Sequence, residues 1–230
     1  MRFILALFFI LVAASPLAAA QRSYSVTDFT RVRVEGPYAV TLATNVAPFA
    51  RATGSQRALD RVSLRVEGRT LIIRVDRSAW GGEPDEQAGP VAISVGTHDL
   101  EQATLIGGGS LAIDRVRGLE FSLASYGSGA TSIGAVAVDR IRLSAQGSGS
   151  MRVAGATKQF VALLNGPGLI DASAMTSKDA TLSARGPASI RATVSNNAKI
   201  TATGTATIAI EGGAACVSKV TGSATVSGCR

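Results

Sequence analysis

Apolar and polar positions alternate along most of this chain, and the alternation changes character near residue 105. Before it, Phe29, Val32, Val34, Val40 and Leu42 fall at strand spacing, with Gly36 and Pro37 as a break between two short runs. Val62, Leu64 and Val66 alternate, Gly68 turns the chain, and residues 71–75 continue as a strand. That pattern predicts antiparallel strands joined by tight turns. Residues 80–87 (Trp-Gly-Gly-Glu-Pro-Asp-Glu-Gln) read as a polar loop, and strand character resumes over 91–95. Sustained helical periodicity is absent beyond the first twenty residues.

After Leu105 the sequence repeats itself. A turn led by glycine recurs at Gly107, Gly127, Gly147, Gly166, Gly186, Gly204 and Gly222, at intervals of 20, 20, 19, 20, 18 and 18 residues. Aligned on that glycine, three apolar columns emerge. Leu111, Thr131, Met151, Ile170, Ile190, Ile208 and Val226 form the first; Ile113, Ile133, Val153, Ala172, Ala192 and Ile210 the second; Phe121, Ile141, Phe160, Ala180, Ala198 and Cys216 the third. Two columns two residues apart place one strand face inward, and recurrence at a fixed period stacks those faces coil upon coil. The residue before the glycine (Tyr126, Gln146, Asn165, Arg185, Thr203, Thr221) should point outward.

A propeller blade needs about twice this period. The reading is therefore all-β: a β-solenoid with parallel, β-helix-like coils of 18–20 residues, preceded by a short antiparallel β-rich segment. Seven coils would form a rod about 30–35 Å long, with the glycines as structural turns at its corners. Residues 21–104 form an N-terminal capping segment and 105–230 the solenoid, the two making one continuous domain.

Composition moves the chain out of the cytoplasm. Arg2 precedes an apolar run over 3–12, Pro16 interrupts it, and Ala18, Ala19 and Ala20 offer a small-residue cleavage site. Residues 1–20 thus read as a signal peptide cut after Ala20. The mature chain of 210 residues (230 − 20) loses Arg2, and its net charge falls from +7 to +6. Its Lys and Arg residues are scattered, and export argues against a nucleic-acid partner. No later segment suits a transmembrane span, so a periplasmic or cell-surface location is expected. In that oxidising setting Cys216 and Cys229, the only two cysteines, are expected to pair as a disulfide.

The opening at 29–40 (Phe-Thr-Arg-Val-Arg-Val-Glu-Gly-Pro-Tyr-Ala-Val), the strand pair around 66–71 and the Gly-Ser-Gly turns at 127–129 and 147–149 resemble the putative auto-transporter adhesin, head GIN domain family, found in bacterial envelope proteins. The likeness spans about residues 28–228. It implies a β-helical exported domain with a surface or adhesive role, and supplies no catalytic or binding residues. The chain departs from the pattern in its last coils, where Gly-Ser-Gly erodes, and in its added cysteine pair.

Catalytic chemistry finds little support. Polysaccharide-active β-helix enzymes need clustered carboxylates, often with Ca²⁺, so a groove where three or more acids or bases converge would favour an enzyme. Asp114, Asp139, Asp171 and Asp179 lie seven, twelve, five and thirteen residues after their glycines, at different phases of the repeat. Only Asp139 and Asp179 share a ridge, with Arg140 and Lys199 nearby, as a solvated ladder of mixed sign. His98, the single histidine, reads as a surface residue after a strand. We therefore expect a non-catalytic envelope or surface protein, adhesin-like, without cofactor or metal, whose ligand is left open among a glycan, a cell-envelope component and another protein. A polysaccharide-active enzyme and a purely structural spacer are the alternatives, and the oligomeric state stays open.

Overall fold

Each recurring glycine turns the chain through a corner that L-residues resist. In the computed structural model, which describes residues 20–76 and 89–230, the seven corner glycines have φ between 80° and 116°. The expected leader up to residue 19 and the polar loop at 80–87 lie outside the described residues. At Gly127 (φ 116°) a Cβ would sit 2.7 Å from the Gly107 carbonyl oxygen, so both backbone angle and stacking distance require glycine.

Between corners the chain runs as long bent strands: β9 (Ser110–Tyr126), β10 (Ala130–Gln146), β11 (Ser150–Asn165), β12 (Leu169–Arg185) and β13 (Ser189–Gly204). The last turns are split into β14 (Thr207–Glu211), β15 (Ala215–Gly222) and β16 (Thr225–Ser227). Each strand pairs parallel with its equivalent one coil on. Thr131 lies between Leu111 and Met151, and Ile141 between Phe121 and Phe160. This is a parallel β-solenoid. The seven recurring corners from Gly107 to Gly222 enclose six turns rather than seven coils, because only the short β16 and a tail follow Gly222.

The three apolar columns point inward, and all their members up to Ile210 are buried. Two further inward columns accompany them: Leu123, Leu143, Ala162, Leu182 and Ile200, then Ala145, Leu164, Ala184 and Ala202. The strand entering each corner therefore carries three inward positions, not one. Along the third column Phe121, Ile141 and Phe160 give way to Ala180 and Ala198.

The N-terminal region contains the expected short antiparallel segment, but two of its strands belong to the parallel stack. β2 (Arg31–Glu35) and β3 (Ala39–Thr44) lie parallel on β8 (Gln102–Ile106) and the start of β9, with Val34 opposite Leu105 and Leu42 opposite Ile113. Gly36 (φ 112°) turns between them directly beneath Gly107, so the apparent break at Gly36–Pro37 is another corner of the solenoid. β6 (Thr70–Val75) and β7 (Ala92–Thr97) add one more parallel rung on the far side of β2 and β3. Among the described residues antiparallel pairing is confined to β5 (Val62–Glu67) on β6, β4 (Phe49–Gly54) on β7, and β1 (Ala20–Tyr24) on β4. A short helix, α1 (Gln56–Asp60), sits in this region; its N-cap Ser55 Oγ accepts a hydrogen bond from the Ala58 amide at 3.1 Å. One continuous core runs from Phe29 to Ala214.

At the other end β15 is an edge strand, with Val217 74% and Val220 44% exposed. Cys216 on β15 and Cys229 beyond β16 form a disulfide, Cα atoms 5.6 Å apart, and the Arg230 amide donates to the Ala214 carbonyl at 3.1 Å. The bridge ties the incomplete turn to the completed one before it.

Two outcomes follow from these contacts. Replacing both Cys216 and Cys229 by Ser should lower unfolding stability in urea by about 2–3 kcal/mol by removing a loop constraint, and the untreated protein should show no labelled thiol. Stoichiometric labelling of the unreduced chain would contradict the pairing. Gly127→Ala should cost about 1–3 kcal/mol, whereas Gly108→Ala should be close to neutral. Gly108 does not have a positive φ, and its added Cβ would meet only Ser128 Oγ at 3.5 Å. Equal melting temperatures for the two variants would remove the corner argument.

Candidate functional site

Stacking in register turns single outward positions into rows. One such row runs Glu120, Arg140, Gln159, Asp179 and Asn197 on successive rungs. Its members and their neighbours bridge rung to rung. Arg142 Nε donates to Glu120 Oε1 at 2.6 Å, Arg140 Nε to Gln159 Oε1 at 2.7 Å, and Lys158 Nζ lies 2.9 Å from Asp139 Oδ1. Asn196 and Asn197 both donate to Asp179 Oδ1, at 3.1 and 3.0 Å. Asp139 lies one residue before this row, beside Arg140, and it and Asp179 face separate partners. Lys199 stands one column over, opposite Thr181. Such exposed pairs are screened by solvent and mainly set side-chain direction. Hydrogen bonding to Arg142 holds the Glu120 carboxyl below the ordinary glutamate range.

At its N-terminal end the ridge opens into a groove of about 610 Å³. β9 is paired on that side only through 110–113 and 122–126, so residues between them overhang the short connection at 98–101. Arg31, Asp99, Glu101, Arg117, Leu119 and Glu120 line the space. Gly118 (φ 123°) precedes Leu119, which is 79% exposed. A second hollow of about 350 Å³ shares Leu119 and Glu120 and continues along the ridge to Arg140 and Lys158.

Three carboxylates line the larger groove, and two of them are engaged by partners of their own. Glu101 accepts a hydrogen bond from Thr30 Oγ1 at 3.2 Å and lies 3.8 Å from Arg69, while Glu120 is engaged by Arg142. The side chains of Asp99, Arg31 and Arg117 make no hydrogen bond or ion pair among the described residues. No three His, Cys, Asp or Glu side chains among the described residues are placed to hold a metal ion.

His98 stands exposed at the end of β7, its Nδ1 3.2 Å from Asp28 Oδ1. That contact, with help from the Thr97 hydroxyl, depresses the Asp28 carboxyl. The Thr97 hydroxyl itself is buried and donates to Asp28 and to the Phe29 carbonyl rather than to the imidazole. A His–Asp pair is thus present, with no nucleophile bonded to the ring among the described residues. On the face following the corners, Arg152, Asp171 and Arg191 stack on consecutive rungs. The Ser173 hydroxyl, 2.6 Å away, keeps the Asp171 carboxyl below its usual range, assisted by the two arginines.

Sequence reasoning missed the groove. Its lining comes from residues 31, 99–101 and 117–120, far apart in the chain. The one available signal was Leu119, a large apolar residue where the neighbouring repeats place polar ones.

Several crystal structures share this architecture. One described as a putative adhesin from Bacteroides fragilis NCTC 9343 has a TM-score of 0.81 at 15% identity, covering 92% of this chain and 97% of that one. One described as a putative lipid binding protein from Parabacteroides distasonis ATCC 8503 has a TM-score of 0.71 at 17% identity, covering 91% and 96%. A putative adhesin from Parabacteroides merdae ATCC 43184 gives 0.69 at 16%, covering 91% and 95%. At these identities the likeness speaks to the fold. No curated protein matches the chain significantly. A family model does match, over residues 28–214, ending just before the turn that carries the disulfide. The chain belongs to the putative auto-transporter adhesin, head GIN domain family.

Proposed function

We propose that this chain is a non-catalytic exported module of the bacterial envelope or cell surface, adhesin-like in role, that holds a ligand through the repeated faces of its solenoid. Membership of an adhesin head family supports it, as do structural neighbours described as adhesins and, in one case, as a lipid-binding protein. A disulfide fits an oxidising compartment, in line with the leader read at residues 1–20. No helix among the described residues is long and apolar enough to cross a membrane.

The observation that carries the reading is the outward ladder. Side chains at equivalent phases repeat at one rung spacing, about 4.8 Å, on a scaffold fixed by backbone hydrogen bonds. Such a surface offers a pre-organised display to an extended partner, so little ordering entropy is lost on binding. The carboxylates along it are turned to separate partners, which favours a binding surface over a hydrolytic or eliminating one.

The purified mature chain should retain members of an immobilised glycan array supplemented with envelope polysaccharide and lipid fractions, and leave them chemically intact. Release of shortened or unsaturated sugars would favour the enzyme. Silence across glycans and envelope fractions alike would favour a spacer.

A further inference from the structure

We propose that the groove between residues 98–101 and 117–120 binds an acidic sugar within an extended glycan, its carboxylate taken by Arg31 and Arg117 and its apolar ring face set against Leu119. The inference rests on the binding-module reading above and names its ligand class.

Three properties of the groove converge on that chemistry. The first is charge. Arg31 on β2 and Arg117 on β9 are brought to one space by the stacking, and both are exposed and unpaired among the described residues. Neighbouring Arg69 and Arg142 face Glu101 and Glu120, which leaves two free guanidiniums against the single free carboxylate of Asp99. A guanidinium fork matches a carboxylate in a planar, two-point contact. Asp99, as an acceptor, suits a sugar hydroxyl.

The second property is Leu119. An isolated leucine 79% exposed among charged side chains gains nothing from the fold. The C–H face of a pyranose ring would cover it while the ring's hydroxyls meet the polar wall. A lipid chain would find too little apolar surface here, and a nucleic acid no aromatic platform.

The third is direction. At about 610 Å³ the groove falls within the size of ligand sites, and it leads into the second hollow past Arg140 and Lys158. Successive rungs are about 4.8 Å apart, close to the advance of one sugar in an extended glycan, so the next residue of such a chain meets the next rung.

The test uses the mature chain and three matched variants, Arg31→Gln, Arg117→Gln and Leu119→Ala, with Arg191→Gln on the other face as control. All four positions are exposed, so the melting temperatures should agree. Titration with fluorescent oligosaccharides carrying uronate or sialate, and with neutral oligosaccharides of equal length, reads the outcome. We expect binding to at least one acidic probe, weakened about tenfold or more by either arginine variant and several-fold by Leu119→Ala. The control should bind as the parent does, and neutral probes should bind at least tenfold more weakly. Equal binding by the parent and all groove variants, a preference for the neutral probe, or silence toward every acidic probe would overturn the groove assignment. The first two outcomes, or retention of any other array member, would leave the binding-module reading standing; silence across the whole array would end both.

Discussion

Parallel backbone hydrogen bonding between coils is the constraint on which everything else in this protein depends. Each rung's N–H and C=O groups are satisfied by the rungs above and below, so a coil has no stable form alone. A slip of one residue would turn Phe121, Ile141 and Phe160 outward together, because strand faces alternate. Register is therefore held by many positions at once. The corner glycines belong to the same constraint: at Gly127 the close approach to the Gly107 carbonyl leaves no room for a Cβ.

A stack of this kind must also manage its ends. At the start, β6 and β7 continue the stack for one rung, and β5, β4 and β1 then close it with antiparallel strands and a short capped helix. At the finish, the Cys216–Cys229 bridge fastens a partial turn where inward positions such as Val220 are already half-exposed. The same repetition that builds the core builds the surface. Because equivalent residues stack, Glu120 meets Arg142 and Asp139 meets Lys158 across rungs, and the charged ridge follows from the fold rather than from any local motif. The groove arises where that regularity fails, beneath the stretch of β9 that no earlier rung covers.

The solenoid was legible because a period repeated six times leaves columns that a single strand would not. The disulfide was legible from two cysteines behind a segment that reads as a leader. What stayed hidden was non-local. Gly36 looked like a strand break because 71 residues separate it from Gly107, so no period linked them, although φ and position make it a corner of the same line. Alternation reports which face of β2 and β3 is buried but not which strands they join, hence the expectation of antiparallel pairing where the chain pairs parallel. α1, five residues long, is too short for helical periodicity. Arg31, Asp99 and Arg117 share a groove only after the stack has formed, and carry no common motif beforehand.

The parallel register itself can be read directly by cross-strand nuclear Overhauser contacts in the labelled, folded chain. The account predicts backbone contacts between residues one coil apart, from Thr131 to both Leu111 and Met151 and from Ile141 to both Phe121 and Phe160. Contacts joining successive segments of one coil as antiparallel neighbours, such as 110–113 with 121–126, would contradict it.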